Sequence, residues 1–510
     1  MNKKVSTLAF LMTILIASCG PTAKTRQTSM SKHPNIIYVL ADDLGYGDVA
    51  ALNKDSKIAT PGLDRLAAEG MLFTDAHSPS AVCTPTRYSI VTGRYNWRST
   101  LKKGVLSGDS PALIDPERKT VATILKDAGY HTAYIGKWHL GWNWGKGADG
   151  SIDFSLPVRN NPNQNGFEYA YGFSGSLDMP PYVYVENGKS TAIPKNYTEN
   201  KDYQAMWRKG LTAPDFVHEE VLPNFFNRAF DYIRKQANGE KPFFLYLPLP
   251  SPHTPILPSK EWQGKSGLNP YADFVMMTDA YIQKLEAVIK EAGIEENTLI
   301  IFTSDNGCSP RANFKELEAK GHFPSGPFRG TKADIFEGGH RVPFIAKWPR
   351  VIKPGSRCDQ TICLVDFMAT CAEITKTKMP DNAGEDSYSM LPLFNSPNQS
   401  GYQRTTTIHH SINGSFAIRK GAWKLILCRD SGGWSDPVPA KSKLLNLPPV
   451  QLYNLAQDPG EQHNVYADHP EIVASLKAAL IKQIKDGRST PGALQANDGG
   501  AYWPELNWMN

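Results

Sequence analysis

The chain has 510 residues, 41% of them hydrophobic and 21% charged, with a formal net charge of +5 at pH 7. That length exceeds one small core and fits a large α/β unit with a smaller one beside it. A mean hydropathy of -0.39 excludes a polytopic membrane protein, and the lack of a long basic run excludes a nucleic-acid footprint.

Lys3 and Lys4 precede the apolar run LAFLMTILIA, and LIASC ends at Cys19. The run is too short for a comfortable membrane span. The pattern resembles a bacterial lipoprotein signal over residues 1–18, cut before Cys19. Cys19 would then carry acyl chains that anchor the protein to a membrane, with residues 19–34 as a flexible tether. The expected location is the bacterial cell envelope, on the periplasmic side. The alternative is an ordinary secretory signal with a chance cysteine.

PNIIYVLADDLGYGD predicts a buried strand over Asn35–Ala41 whose carboxyl end delivers Asp42 and Asp43 to a loop. A helix and strand follow in TPGLDRLAAEGMLFTDAH. The pattern returns in TVATILKDAGYHTAYIGKWHLG and in NFFNRAFDYIRKQANGEKPFFLYLPLPSPH. It returns again before TLIIFTSDNG, with a strand over Thr298–Thr303. Such alternation implies an α/β fold: a large, mostly parallel sheet sandwiched by helices. The stretch Asn143 to Leu222, rich in Asn, Gly, Pro and Tyr, reads as a long insertion near the active rim, with a short hairpin at PPYVYVENGKST. After about Thr405 the pattern changes. SFAIRKGAWKLILC and QLYNLAQDPGEQHNV read as antiparallel strands, and PEIVASLKAALIKQIKDG as an amphipathic helix. The expected division is a catalytic domain over 35–400 and a smaller α+β subdomain, with an antiparallel sheet, over 401–510.

Polar residues cluster where the strands end: Asp42 and Asp43, Lys137 and His139, His253, Asp305 and Asn306. Open α/β sheets bind ligands at the carboxyl ends of their strands, so four strand ends point at one rim. Asp42, Asp43, Asp305 and Asn306 are hard oxygen donors. They suit Ca²⁺ or Mg²⁺ rather than zinc, unless they only cap helices and turns. Arg87, Lys137, His139, His253 and Lys332 are the residue types that surround a tetrahedral oxyanion and donate a proton to a leaving group. Read singly, the lysines are solvated charges.

Cys83, in SPSAVCTPTRYSIVTGRYN, stands just before an expected helix. It reads as a nucleophilic thiol of lowered pKa or as a buried thiol. Neither reading accounts for Arg87, the acidic ligands and the export signal together. Cys308, Cys358, Cys363, Cys371 and Cys428 read mostly as small buried residues, although Cys358 could bridge to Cys363 or Cys371.

CTPTRYSIVTGR resembles the Cys-x-Pro-x-Arg signature of the type I sulfatases, in the alkaline-phosphatase superfamily. PNIIYVLADDLGYGD, GYHTAYIGKWHLG, PHTPI, IIFTSDNG, GPFRGTKADIFEGGHRVPFIAKWP and LYNLAQDPGEQHNV resemble sulfatase segments in family order. The resemblance implies that a maturation enzyme converts Cys83 to formylglycine. It implies one Ca²⁺ held by Asp42, Asp43, Asp305 and Asn306. One hydroxyl of the hydrated aldehyde would attack the sulfur, kept reactive by the metal and Arg87, with Asp305 placed to assist deprotonation. Lys137, Lys332 and the metal would bind sulfate oxygens, and His253 would protonate the leaving alcohol. The remaining hydroxyl, helped by His139, would expel sulfate and restore the aldehyde.

GSLDMPPYVYVENG and DFVHEE resemble carbohydrate sulfatases acting on 6-O-sulfated galactose or N-acetylgalactosamine. Asp178 and His218 would then hydrogen-bond an axial sugar hydroxyl, or else hold loops. Trp142 and Trp144 would stack on a sugar or, more simply, pack. A phosphonate or phosphodiester hydrolase using formylglycine is one rival reading. A non-catalytic glycan-binding lipoprotein is another.

Overall fold

A computed structural model describes Met1 and residues 33–397, 401–442 and 444–509. The Cys19 signal lies outside the described residues. Four apolar segments form strands β1 (Asn35–Asp42), β2 (His131–Lys137), β3 (Phe243–Pro252) and β4 (Thr298–Ser304). Only the first residue of β1 and of β2 is less than fully buried. Burial on both faces is what strands under two helical layers need. They run side by side in the order β4, β1, β3, β2, all parallel. Their carboxyl ends therefore meet along one rim, as expected from the sequence. Asp42 closes β1 as a strand residue, opposite Pro252 of β3.

Six short strands extend this core to a ten-stranded mixed sheet. Phe344–Lys347 joins β4 antiparallel, then Met71–Phe73 and Ser356–Cys358 follow. On the other side come Tyr169–Phe173, Val185–Glu186 and Lys189–Ser190. Helices Pro61–Ala68, Val221–Ala237 and Pro270–Glu291 pack together as one layer. Cys83–Thr92, here α1, Val121–Asp127 and Phe367–Thr375 pack together as another. Every residue of α1 is buried, which fixes Cys83 and Arg87 inside the molecule. The helix ends at Gly93, whose φ of 64° and whose approach to Gly384 leave no room for a Cβ.

The region read as an insertion is partly core. Tyr169–Phe173 pairs in parallel with β2, buried but for its first residue. It lacks alternation because both of its faces are covered. The hairpin expected at PPYVYVENGKST forms between Val185–Glu186 and Lys189–Ser190. Asn187 and Gly188 have φ of 48° and 79°, as a tight primed turn requires. A second hairpin, Asn196–Asn200 with Trp207–Thr212, was not legible, because its polar residues face solvent on both sides.

Thr407–His410, Phe416–Lys420, Trp423–Ile426 and Gln451–Asn454 make the expected C-terminal antiparallel sheet. Helix Pro470–Asp486 packs on it through Leu476, Leu480 and Ile484, one turn apart. The six cysteines among the described residues are free, so Cys358 bridges neither Cys363 nor Cys371. Its thiol points instead to the Pro397 carbonyl, 3.7 Å away.

A buried polar network ties the two sheets together. His77 Nδ1 lies 3.1 Å from His340 Nδ1, and the His340 and His409 rings stack at 3.9 Å. Asp75, Glu337, Arg419 and Lys424 surround them. Burial holds His77, His340 and His409 below the ordinary histidine value and takes nearby His410 to about 4. The folded chain thus binds fewer protons here than the unfolded chain below about pH 6.5, and each such histidine removes about 1.4 kcal/mol of stability per pH unit. Glu461 and Asp305, both pushed up to about 7 by burial, work in the opposite sense, but His139, His218 and His253 are also lowered, so the histidines outnumber them. The expected result is a Tm that falls steeply between pH 6.5 and 5 in calorimetry. A Tm flat over that interval contradicts the assignment of neutral buried histidines.

Candidate active site

The rim gathers ten of the residues singled out from the sequence, His139 among them. β1 ends in Asp42, and Asp43 follows with a φ of 67°, turning its carboxylate back toward β4. Asp305 and Asn306 follow β4, Lys137 ends β2, and His253 follows β3. Cys83 and Arg87 stand one turn apart on α1, and Lys332 comes from a loop. Arg87 donates to Asp305 Oδ2 through Nε (3.0 Å) and Nη2 (2.8 Å), and through Nη1 to the Lys137 carbonyl (3.0 Å). Lys137 Nζ lies 2.6 Å from Asp42 Oδ2, and Lys332 Nζ lies 2.6 Å from Asp43 Oδ1. Asn306 Nδ2 donates to Asp43 Oδ1 at 2.7 Å.

Three buried carboxylates thus face three buried cations. Asp42 is held well below the carboxylate range despite its burial, by Lys137 first and then His253. Asp305 is pushed up to about 7 by burial and by the Asp42 charge. Two acceptor atoms, Asp42 Oδ1 and Asn306 Oδ1, are buried without a hydrogen-bond partner. Asp42, Asp43 and His253 bring one donor atom each within 4.8 Å of one another. Crowded carboxylates with orphaned oxygens are what a hard divalent cation satisfies, and two of the four sequence-predicted ligands, Asp42 and Asn306, offer such oxygens.

The thiol of Cys83 is raised by burial, which outweighs Lys137 and Lys332. Such a thiol is a poor thiolate nucleophile. The two rim histidines have set tautomers. His139 Nε2 donates to the Leu106 carbonyl (2.8 Å), which leaves the lone pair on Nδ1, buried without a partner. His253 Nδ1 donates to the Thr254 carbonyl, which leaves Nε2 toward Asp43 Oδ2, 3.7 Å away. Burial and Lys332 lower the pKa of His253. Ser176, not singled out in the sequence, links Lys137 (3.0 Å) to His253 (3.4 Å).

Cys83, His253 and Lys332 line a cavity of about 430 Å³. Asp178 lines it too, with Oδ2 held by Arg208 Nη1 at 2.6 Å and Oδ1 buried without a partner. His218 does not line this cavity. Its ring stacks on Trp207 at 4.1 Å, and burial takes it to about 4. Trp142 and Trp144 are buried and pack edge to face at 5.4 Å, the plain reading of both. Sequence reasoning missed Arg208, Tyr203 and Trp434, which also line the cavity. Arg208 lies in a charged WRKG stretch that reads as solvated, and Trp434 sits in a Gly/Ser/Pro loop. That loop is held by Asp334, whose Oδ1 accepts from Trp434 N at 2.7 Å.

The sulfatase family model matches residues 34–377. The chain is 32% identical over 509 residues to an N-acetylgalactosamine-6-O-sulfatase of Bacteroides thetaiotaomicron, covering 92% of this chain and 97% of the relative. It is 32% identical over 497 residues to human arylsulfatase A, covering 92% of each. A solved sulfatase structure from a B. thetaiotaomicron glycosaminoglycan-metabolism locus superposes with a TM-score of 0.79 at 32% identity, covering 89% of this chain and 99% of that one. A rim of buried acids and cations at parallel strand ends, matched along nearly the whole chain by enzymes of one kind, makes this protein a member of the sulfatase family, a sulfuric ester hydrolase on an alkaline-phosphatase-like fold.

Proposed function

We propose that the enzyme removes 6-O-sulfate from galactose or N-acetylgalactosamine in sulfated glycans, with Ca²⁺ at the acidic rim and formylglycine in place of Cys83. The observation that carries the sugar assignment is Asp178. One of its oxygens is fixed by Arg208, the other is a buried acceptor without a partner, and the residue lines the cavity that holds Cys83. A buried acceptor without a partner costs about 1–3 kcal/mol, which a bound sugar hydroxyl recovers. Similarity to an N-acetylgalactosamine-6-O-sulfatase over 92% of the chain supports the same choice.

The residues divide the work by charge and tautomer. Ca²⁺ among Asp42, Asp43, Asp305 and Asn306 supplies a fixed positive charge for a sulfate oxygen. Formylglycine, once hydrated, supplies an oxygen nucleophile. Lys332 lines the cavity, Lys137 is buried beside Asp42, and the two are the lysines that would offer charge-assisted hydrogen bonds to sulfate oxygens. Arg87 pins Asp305 and the end of β2, so that both strand ends keep one geometry. His253, whose Nδ1 is committed to a carbonyl, presents Nε2 as the proton donor to the leaving oxygen. The anionic ester beside it favours its charged form. His139 Nδ1 is the base available on the opposite assignment, since Nε2 is committed to Leu106. The same reading includes a maturation enzyme as partner and a lipid anchor at Cys19 on the periplasmic side, both supported by the sequence alone.

The test is release of sulfate from a panel of monosaccharides. Galactose and N-acetylgalactosamine 6-sulfates are expected to be the best substrates, and Asp178→Ala to lower kcat/KM on them about 100-fold. Faster turnover of 4-sulfated or gluco-configured sugars, or an Asp178→Ala enzyme of full activity, overturns the reading.

A further inference from the structure

A second, larger cavity of about 700 Å³ adjoins the first. Val105, Met179 and Arg208 line both, so the two are neighbours across these three residues. Cys83, His253 and Lys332 line only the first. Whatever fills the second cavity therefore does not carry the reacting sulfate. Its walls are Ile152, Phe154, Pro181 and Leu211, with Tyr197 at 64% exposure beside them. Polar groups, Ser107, Asp109 and Ser151, are present as well.

The wall is rigidly backed. Phe154 lies edge-on to Trp144 at 5.3 Å, and Trp144 Nε1 is tied to the Gly108 carbonyl at 3.0 Å. Tyr197 and Leu211 face each other in register across the hairpin Asn196–Asn200 with Trp207–Thr212, which also supplies Arg208. The residue at the junction, Arg208, is the one that fixes Asp178. An apolar and aromatic wall with a few hydroxyl and carboxylate groups suits the C–H face of a pyranose ring and its hydroxyls. The extra volume accommodates more than one further ring.

We propose that this second cavity is a subsite for the sugar residue joined to the sulfated one, so that the enzyme is built for oligosaccharides. The inference rests on the sulfated-sugar reading of the first cavity. It predicts that kcat/KM for a tetrasaccharide repeating 6-O-sulfated N-acetylgalactosamine exceeds that for the free 6-sulfated monosaccharide by about 10- to 100-fold.

The experiment measures that ratio in the full-length mature enzyme and in two variants. Tyr197→Ala removes an exposed ring and leaves the buried wall in place. Ser151→Trp fills the cavity from an exposed position. Both are expected to bring the ratio toward one, through KM for the tetrasaccharide. A wild-type ratio near one, or a ratio unchanged in both variants, overturns the subsite. Failure of the first reading looks different: neither length of 6-sulfated substrate is cut while another sulfate ester is, and the inference falls with it.

Discussion

Cys83→Ala is expected to abolish sulfate-ester turnover, by about 10⁴-fold or more, in a protein that still folds. The thiol is buried at the start of α1, and removing one sulfur there costs only about 1 kcal/mol. The loss is large because a nucleophile acts as a unit with its partners, and Lys137, Lys332 and His253 have nothing to assist without it. The chemistry at the position is separable from its presence. Burial raises the thiol, so an unmodified Cys83 is a poor nucleophile in this setting. Mass spectrometry of the peptide around Cys83 in active enzyme is expected to show the aldehyde in place of the thiol. An unmodified thiol in active enzyme sinks the formylglycine assignment and leaves the cysteine itself to act. Full activity in Cys83→Ala sinks both.

Much of the rim was legible because its logic is local. Each of β1 to β4 is an apolar run that ends abruptly in charge, and a parallel sheet brings such ends together whatever their separation in sequence. Asp42 and Asp305 are 263 positions apart, yet Ala41 pairs with Ser304, and Asp305 N donates to the Ala41 carbonyl. What stayed hidden depends on packing that no periodicity reports. Tyr169–Phe173 has no alternation because both faces are covered. Arg208 is half exposed and reads as solvated, although its other half fixes Asp178. The His77, His340 and His409 cluster joins three segments, each of which carries only a single unremarkable histidine or a histidine pair. Cys308, Cys358, Cys363 and Cys371 are the small buried residues the sequence suggested, and the bridge left open for Cys358 does not form, because closeness in sequence says nothing about which way two buried thiols point.

Arg87→Met is expected to damage stability and activity together, and a second substitution separates the two. Arg87 is buried and bonded twice to Asp305 and once to the Lys137 carbonyl. Methionine fills most of the space and offers no donor. Asp305 then loses the donor bonded twice to it beside Asp42, and must stay charged without a partner or take up a proton. Breaking one side of such a pair costs about 3–5 kcal/mol. Restoring neutrality with Asp305→Asn in the same chain removes that charge, so the double variant is expected to regain most of the lost Tm. Activity is expected to stay down about 100- to 1,000-fold in both, because both lack the guanidinium and the double variant also lacks the Asp305 carboxylate. A single Arg87→Met variant with an unchanged Tm contradicts the pairing energetics. A double variant that regains turnover along with Tm shows instead that Arg87 serves the fold alone and that Asp305 is dispensable as a ligand.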